Sequence, residues 1–589
     1  MSGIARLSLI LALAGVVPAV SVAADQAPTF LDAVQVNVVN VEVYVTDKEG
    51  RAVTGLAAKD FVLEEDGRKV KVTNFAYVDS LPAMRDLESP PTGEVAPQYV
   101  VLYLDDYTID GGQRRRALEQ LRGFVHRERE SAVAFAVASY DGVLRMNQPF
   151  TYDRDLVLAA LRDSAELSPL GVIRQRQRSA VAREALQMLS NIRQLTASEV
   201  RDTEVPRYLA ELTRQIDGYA ERVKELNEAS LYALSHLANS LAALPGRKAV
   251  IYVSEGLPAR PGQELYQAVS ETLRGVQQGT VDQSNFEAVD ADIRARSGAL
   301  SAIESSQGRR PKNLGQGPTE ELQLLTALAN ASGVSFYAFK AQGNVGGIEA
   351  EFGGAGVELF SPQFKSVRED NLAETLRVLA DETGGDAVIG GDLQALLEQA
   401  RADAGGYYSL GYDPPHSGDA QFHTLKVKLR RRGLKARYRR GYLDKPLAVK
   451  AADRTSTALL LGIDDNPLGL TLEVGQARAN SEGKGWILPV RLSVPLASVT
   501  LTRQGSLYVL EAQVYIAARS AAGDMAPVQE GLLRIEVAAE DFADVRSRTH
   551  VTDFELSLRA GRQRLAVGFL DPVAVASSFV SREVAVGPS

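Results

Sequence analysis

The chain has no cysteine among its 589 residues. That excludes disulfide bridges and excludes anchoring through an acylated cysteine. An exported domain without disulfides must rely on the size of its core, which a chain of this length can supply. Histidine is scarce as well. The five present are His126, His236, His416, His423 and His550, and none falls at the spacing of a catalytic triad or a zinc motif. His416 and His423 sit close enough to share a surface hairpin. Basic charge is not in excess either: the net charge is −9, and no domain-sized segment is strongly basic. A nucleic-acid partner is therefore not expected.

Long apolar runs are confined to the first residues. Residues 1–24 carry one basic residue, Arg6, and no acid. An apolar run over 7–20 leads to Val22-Ala23-Ala24, the pattern of a cleaved secretory signal peptide. The run is short for a membrane span, and no later segment is long and apolar enough for one. Removing the peptide leaves 64 basic against 74 acidic residues. The expected mature chain has no transmembrane span and resides in the periplasm or outside the cell.

What is present divides the chain into several units. Residues 30–82 read as a small β unit, with Asp66-Gly67 as a turn, closed by the linker Ser89-Pro90-Pro91-Thr92-Gly93. From 96 to 405, strands at 99–104, 132–139, 248–253 and 333–339 alternate with helices at 113–128, 154–164 and 370–383. Such alternation predicts an α/β fold with a doubly wound, mostly parallel sheet. Two insertions interrupt it. Residues 174–243 read as a helical hairpin broken at Pro206, with Leu209, Leu212, Ile216 and Tyr219 at helical spacing, and 259–320 as a loop with some helix. Residues 406–445 return to β structure, with Lys426–Arg430 expected to pair with Lys435–Arg439 across Gly433. The alternating Lys and Arg of that hairpin are read as the wet face of a half-buried sheet. This segment is also a candidate to complete the N-terminal β unit, with the α/β domain inserted between. Residues 465–589 predict a β-sandwich of the immunoglobulin or fibronectin type.

The strand Val100-Val101-Leu102-Tyr103-Leu104 ends in Asp105-Asp106-Tyr107-Thr108-Ile109-Asp110, and Lys248 to Val253 runs into Ser254-Glu255-Gly256. With the strand at 132–139, these residues resemble a von Willebrand factor A-type domain. The flanks are similar to a bacterial group of exported A-domain proteins. They carry Val45-Thr46-Asp47, Asp60-Phe61 and Glu65-Asp66-Gly67 on one side, Tyr408-Ser409-Leu410-Gly411-Tyr412 and Arg440-Gly441-Tyr442 on the other. The resemblance implies a Rossmann-like domain that binds a protein or cell-envelope partner.

It also implies a divalent-metal site of the form Asp-x-Ser-x-Ser, completed by a Thr and an Asp from later loops. Here that site is degenerate. Aligning Asp105 puts Tyr107 and Ile109 where hydroxyls belong, Glu255 replaces the later Asp, and residues 167–173 hold no Thr. A slip of one residue gives Asp106-x-Thr108-x-Asp110, with oxygen at every position. Mg²⁺ or another divalent cation held by Asp105, Asp106, Thr108, Asp110 and Glu255 is thus the candidate site. The same acids could instead be loop residues or helix caps. An inert A domain serving as a scaffold is the alternative. A hydrolase with a strand-end acidic site is the different-class reading. Tyr252-Val253-Ser254-Glu255-Gly256 lacks the first glycine of a nucleophile elbow, and the expectation is a non-enzymatic protein.

Overall fold

The computed structural model describes residues 38–79, 98–166, 204–267, 320–341 and 362–587, apart from 110, 129, 130, 132, 243, 245, 463, 481–484, 522–525 and 527. The signal peptide, the proline-rich linker, the first part of the helical insertion, most of 259–320 and the loop 343–356 lie outside the described residues.

Four strands open the described chain: β1 (Val39–Thr46), β2 (Phe61–Glu65), β3 (Arg68–Val70) and β4 (Asn74–Asp79). Asp66 and Gly67 both take positive φ, 48° and 77°. That backbone suits the right-handed twist of a two-residue hairpin, and it sets Glu65 opposite Arg68.

The α/β unit follows as β5 (Gln98–Leu104), α1 (Gly111–Arg127), β6 (Val133–Tyr140), β7 (Leu144–Thr151), α2 (Arg154–Glu166), α3 (Glu204–Ser240), β8 (Arg247–Ser254), α4 (Glu320–Ala331), β9 (Val334–Lys340), α5 (Pro362–Thr383), β10 (Asp386–Ile389) and α6 (Leu393–Gly405). Its six strands lie in the order β10-β9-β8-β5-β6-β7. All neighbours are parallel except β7, which runs antiparallel to β6 at the edge. Every residue of β6, β8 and β9 is buried, because both faces are covered. On one face Val101, Tyr103, Val250, Tyr252 and Phe336 pack against α3, α4 and α5. On the other, Leu102, Leu104, Ile251, Val253 and Tyr337 pack against α1, α2 and α6. Continuous apolar strands, rather than alternating ones, are what two covered faces require.

The expected helical hairpin falls partly on 174–203, outside the described residues, and Pro206 stands near the start of the helix that follows. It lies in the first turn of α3, a single 37-residue helix, where its missing N–H has no intrahelical partner to lose. Leu212 and Ile216 are buried along the helix.

Four further strands are β11 (Gly406–Tyr412), β12 (Phe422–Leu429), β13 (Lys435–Arg437) and β14 (Gly441–Leu443). They pair with the N-terminal strands in two sheets, β13-β1-β11-β4 and β14-β12-β2-β3. Val41 lies opposite Leu410 and Val427 opposite Leu63. The Leu56 amide donates to the Tyr408 hydroxyl at 3.0 Å, across 352 positions of sequence. The expected pairing of β12 with β13 does not form: β12 pairs with β2 and β14, and β13 pairs with β1. The physical reason is burial. Leu425 and Val427 share one core with Val41, Val43 and Leu63, which a free-standing hairpin could not provide.

After α7 (Leu447–Leu461) the described residues form the strands β15 (Thr471–Val474), β16 (Arg478–Ala479), β17 (Trp486–Pro495), β18 (Thr502–Gln504), β19 (Leu507–Ser520), β20 (Gln529–Ala538), β21 (Thr549–Leu558), β22 (Gly561–Asp571) and β23 (Ala576–Val586), with short helical turns after β17 and before β21. One sheet holds β15, β16, β17 and β21; the other holds β18, β19, β20, β22 and β23. Alternate residues of both, such as Leu488, Val490, Leu556, Leu510, Ile535 and Val567, form one core. Helix α7 joins this part to the rest. Leu459 packs with Tyr515 and Phe579, while Leu460 and Leu461 enter the core of the α/β unit.

Candidate functional site

Strands β5 and β8 are hydrogen-bonded neighbours at the centre of the α/β sheet. Helix α1, which follows β5, packs on one face, and α4, which follows β8, packs on the other. Where successive connections leave to opposite faces, the strand ends separate and a crevice forms at their C-terminal edge. Asp105 immediately follows β5 and Ser254 ends β8, so the two flank that point.

Asp105 is 1% exposed. Its amide donates to the Val253 carbonyl at 2.9 Å, which pins the end of β5 to β8. Its Oδ2 accepts the Tyr252 hydroxyl at 2.7 Å and faces the Ser254 hydroxyl at 3.4 Å. Its Oδ1 is buried with no hydrogen-bond partner among the described residues. Burial pushes the Asp105 carboxyl up to about 7; the Tyr252 hydrogen bond opposes this and the charge of Asp106 adds to it. The Thr108 and Ser254 hydroxyls meet at 2.9 Å, bridging the two strand ends. The turn between them is closed by the Thr108 and Ile109 amides, which donate to the Asp105 carbonyl at 3.0 and 3.2 Å.

The other expected ligands point elsewhere. Both oxygens of Asp106 accept from Arg114 of α1, at 2.6 and 2.9 Å, and both residues are buried. Burial raises the Asp106 carboxyl, against the pull of that guanidinium. Glu255 faces Arg368 of α5 at 3.4 Å. Asp110 lies outside the described residues. Tyr107 and Ile109, at the family's hydroxyl positions, are buried in packing: Tyr107 lies beside Tyr140, and Ile109 is in the core under α1. Asp105 and Thr108 are therefore brought together with Ser254, whereas Asp106 and Glu255 are drawn to arginines. A hard cation of the Mg²⁺ kind needs about six oxygens at about 2.1 Å, and among the described candidate ligands only the first three residues supply oxygens here without competing with a guanidinium.

Sequence reasoning missed Tyr252, Arg114 and Arg368. Tyr252 and Ser254 are two apart on a strand and so face the same side, which is a usable signal. Arg114 and Arg368 come from helices whose placement is tertiary, and nothing local marks them. Ser254 is fully buried and bonds to Thr108 and to the Gly256 amide. It is not presented as a nucleophile.

No family model and no curated protein matches the chain. Solved structures that overlap it include the vWF domain of the type V pili tip protein Mfa5 from Porphyromonas gingivalis, 12% identical over 53% of this chain and 96% of that one, with a TM-score of 0.22. The pilus adhesin SpaC from Lactobacillus rhamnosus GG is 10% identical over 89% of this chain and 57% of that one, also at 0.22. A β-glucuronidase from Bacteroides uniformis is 10% identical over 31% of this chain and 19% of that one, at 0.14. Likenesses this distant carry no argument, and the fold stands on its own strand order and packing.

Proposed function

We propose that the chain is an exported, non-enzymatic interaction protein that binds a protein or cell-envelope partner through a von Willebrand factor A-type domain spanning 96–405. In this reading the A domain is doubly wound and inserted into a β unit formed by 30–82 and 406–445. A sandwich of the immunoglobulin or fibronectin kind over 465–589 follows. The strand order supports the reading, since it is the doubly wound order 3-2-1-4-5-6. The observation that carries the function is the sealing of the strand-end groups. Asp105, Asp106, Thr108 and Ser254 are all buried, and a reactive site needs groups that a substrate can reach. They instead form a stiff frame beneath the turn at Glu255 and the N-terminal part of α5, and that rim offers the contact surface.

A divalent cation belongs to this proposal in reduced form, with oxygens from Asp105, Thr108 and Ser254. The same sealing favours a second reading, a scaffold whose A domain is inert. Calorimetric titration with Mg²⁺, Mn²⁺ and Ca²⁺ of the parent and of Asp105→Ala separates them at the metal level. Binding by the parent and its loss in the variant support the reduced site; silence in the parent discards it. For the partner, immobilised parent and a Glu255→Lys, Arg368→Glu variant are compared for capture from envelope extract. A component retained by the parent and lost by the charge-reversed rim supports interaction through this face. Equal retention, or none by either protein, favours the scaffold.

A further inference from the structure

Among the described residues, the groups of three or more acidic or histidine side chains close enough to share an ion lie in the β unit, not at the strand ends of the α/β sheet. We propose that His416, Asp419, His423 and Asp444 form a structural site for a first-row divalent metal such as Zn²⁺, with Glu65 and Asp66 as the supporting carboxylates behind the two imidazoles.

The geometry divides into two shells. His416 Nδ1 lies 3.1 Å from Asp444 Oδ2 and 3.9 Å from Asp419 Oδ2. His423 Nε2 lies 3.2 Å from both Asp419 oxygens. Ligands about 2.1 Å from a tetrahedral ion stand about 3.4 Å from one another, and these separations bracket that value. The other ring nitrogens turn the opposite way, to Glu65 at the end of β2 and Asp66 in the turn that follows. His423 Nδ1 meets Asp66 Oδ2 at 2.8 Å. His416 Nε2, sealed from solvent and without a formed hydrogen bond, faces Glu65 Oε1 at 3.3 Å. A carboxylate behind a histidine fixes its tautomer and makes its outer nitrogen a better ligand. Glu65 is itself held by the Tyr412 and Tyr442 hydroxyls at 2.5 and 2.8 Å.

Charge points the same way. Four carboxylates face two imidazoles, which together carry at most two positive charges, and Lys450 reaches Asp444 only at 4.0 Å. With both imidazoles ligating as neutral rings, a divalent ion would offset about half of the carboxylate charge. The two rings are stacked 3.6 Å apart and nearly parallel. Ligation to one ion requires His416 to tilt out of that stack, which a side chain on the 413–421 loop can do by rotation about its own χ angles. With four protein ligands no position stays open for substrate, so the ion ties the loop to β2 and β12 rather than serving catalysis.

The full mature chain, untagged and stripped by chelator, is titrated calorimetrically with Zn²⁺ at pH 7.5, with Mg²⁺ and Ca²⁺ as hard-ion comparators. One Zn²⁺ per chain is expected, with a raised Tm and no comparable response to the hard ions. Asp419→Asn, at an exposed loop position and keeping an oxygen for the Gln421 amide, should weaken binding by about tenfold or more. The His416→Ala, His423→Ala double variant should abolish it, while Asp105→Asn should bind like the parent. Absence of Zn²⁺ binding, binding that survives the double histidine variant, or binding lost only in Asp105→Asn would overturn the assignment.

Discussion

Asp105 concentrates the chemistry of the α/β unit in one carboxyl group. It is enclosed by the ends of β5 and β8, and one of its oxygens has no partner among the described residues. Its carboxyl is raised from 3.8 to about 7, mainly by burial. Between those values the folded chain holds a proton that the unfolded chain has released, so stability falls as pH rises through this window and is level above it. That difference corresponds to a ceiling of about 4 kcal/mol. Asp105→Asn removes the buried charge but keeps an acceptor for Tyr252. Its Tm should exceed that of the parent at pH 8, and the gain should disappear by pH 5. Thermal melts across that range check this, and a constant difference would show that Asp105 does not titrate. The apolar run into Asp105 was readable from sequence. The capture of Asp106 by Arg114 was not, because an arginine eight residues away on a helix becomes a partner only once α1 is docked.

At the scale of elements, the turn after β8 shows why particular residues stand where they do. Gly256 takes φ +108°, and a Cβ there would lie 2.4 Å from the Leu372 carbonyl of α5. The strand end and the helix approach each other only because this position has no side chain. Gly256→Ala should cost about 1–3 kcal/mol and displace Glu255 from Arg368, as a lower midpoint in urea would report. An unchanged midpoint would mean that α5 shifts without cost. The long parallel strands were legible because covered faces demand unbroken apolar runs. Strands β7 and β10 were not. The first carries Arg145, Asn147 and Gln148 at a sheet edge, and the second is four residues long.

For the whole molecule, the α/β unit and the β unit that brackets it are joined by buried charge. Arg437 of β13 donates to both oxygens of Asp403 in α6, at 2.6 and 2.8 Å. Asp403 also accepts from the Tyr337 hydroxyl at 2.7 Å, and Arg247 donates to that same hydroxyl at 2.7 Å. Arg437→Met leaves Asp403 buried without its cation, at a cost of about 3 kcal/mol or more. Because the pair spans two units, the loss should lower the unfolding midpoint of both together in a denaturant titration. A fall confined to one transition would show that they are not coupled.

The amino-acid sequence alone determined what short-range physics can settle. Runs of Val, Ile and Ala bounded by turns placed the central strands of the α/β sheet, and the Asp66-Gly67 turn placed a hairpin. The absence of cysteine excluded disulfides. The tertiary structure decided which strands lie side by side across hundreds of residues, which arginines neutralise which acids, and that His416 and His423 stack among four carboxylates. Those outcomes depend on contacts between segments far apart in the chain. Their energies come from burial that exists only after the segments have met, so no window of sequence contains them.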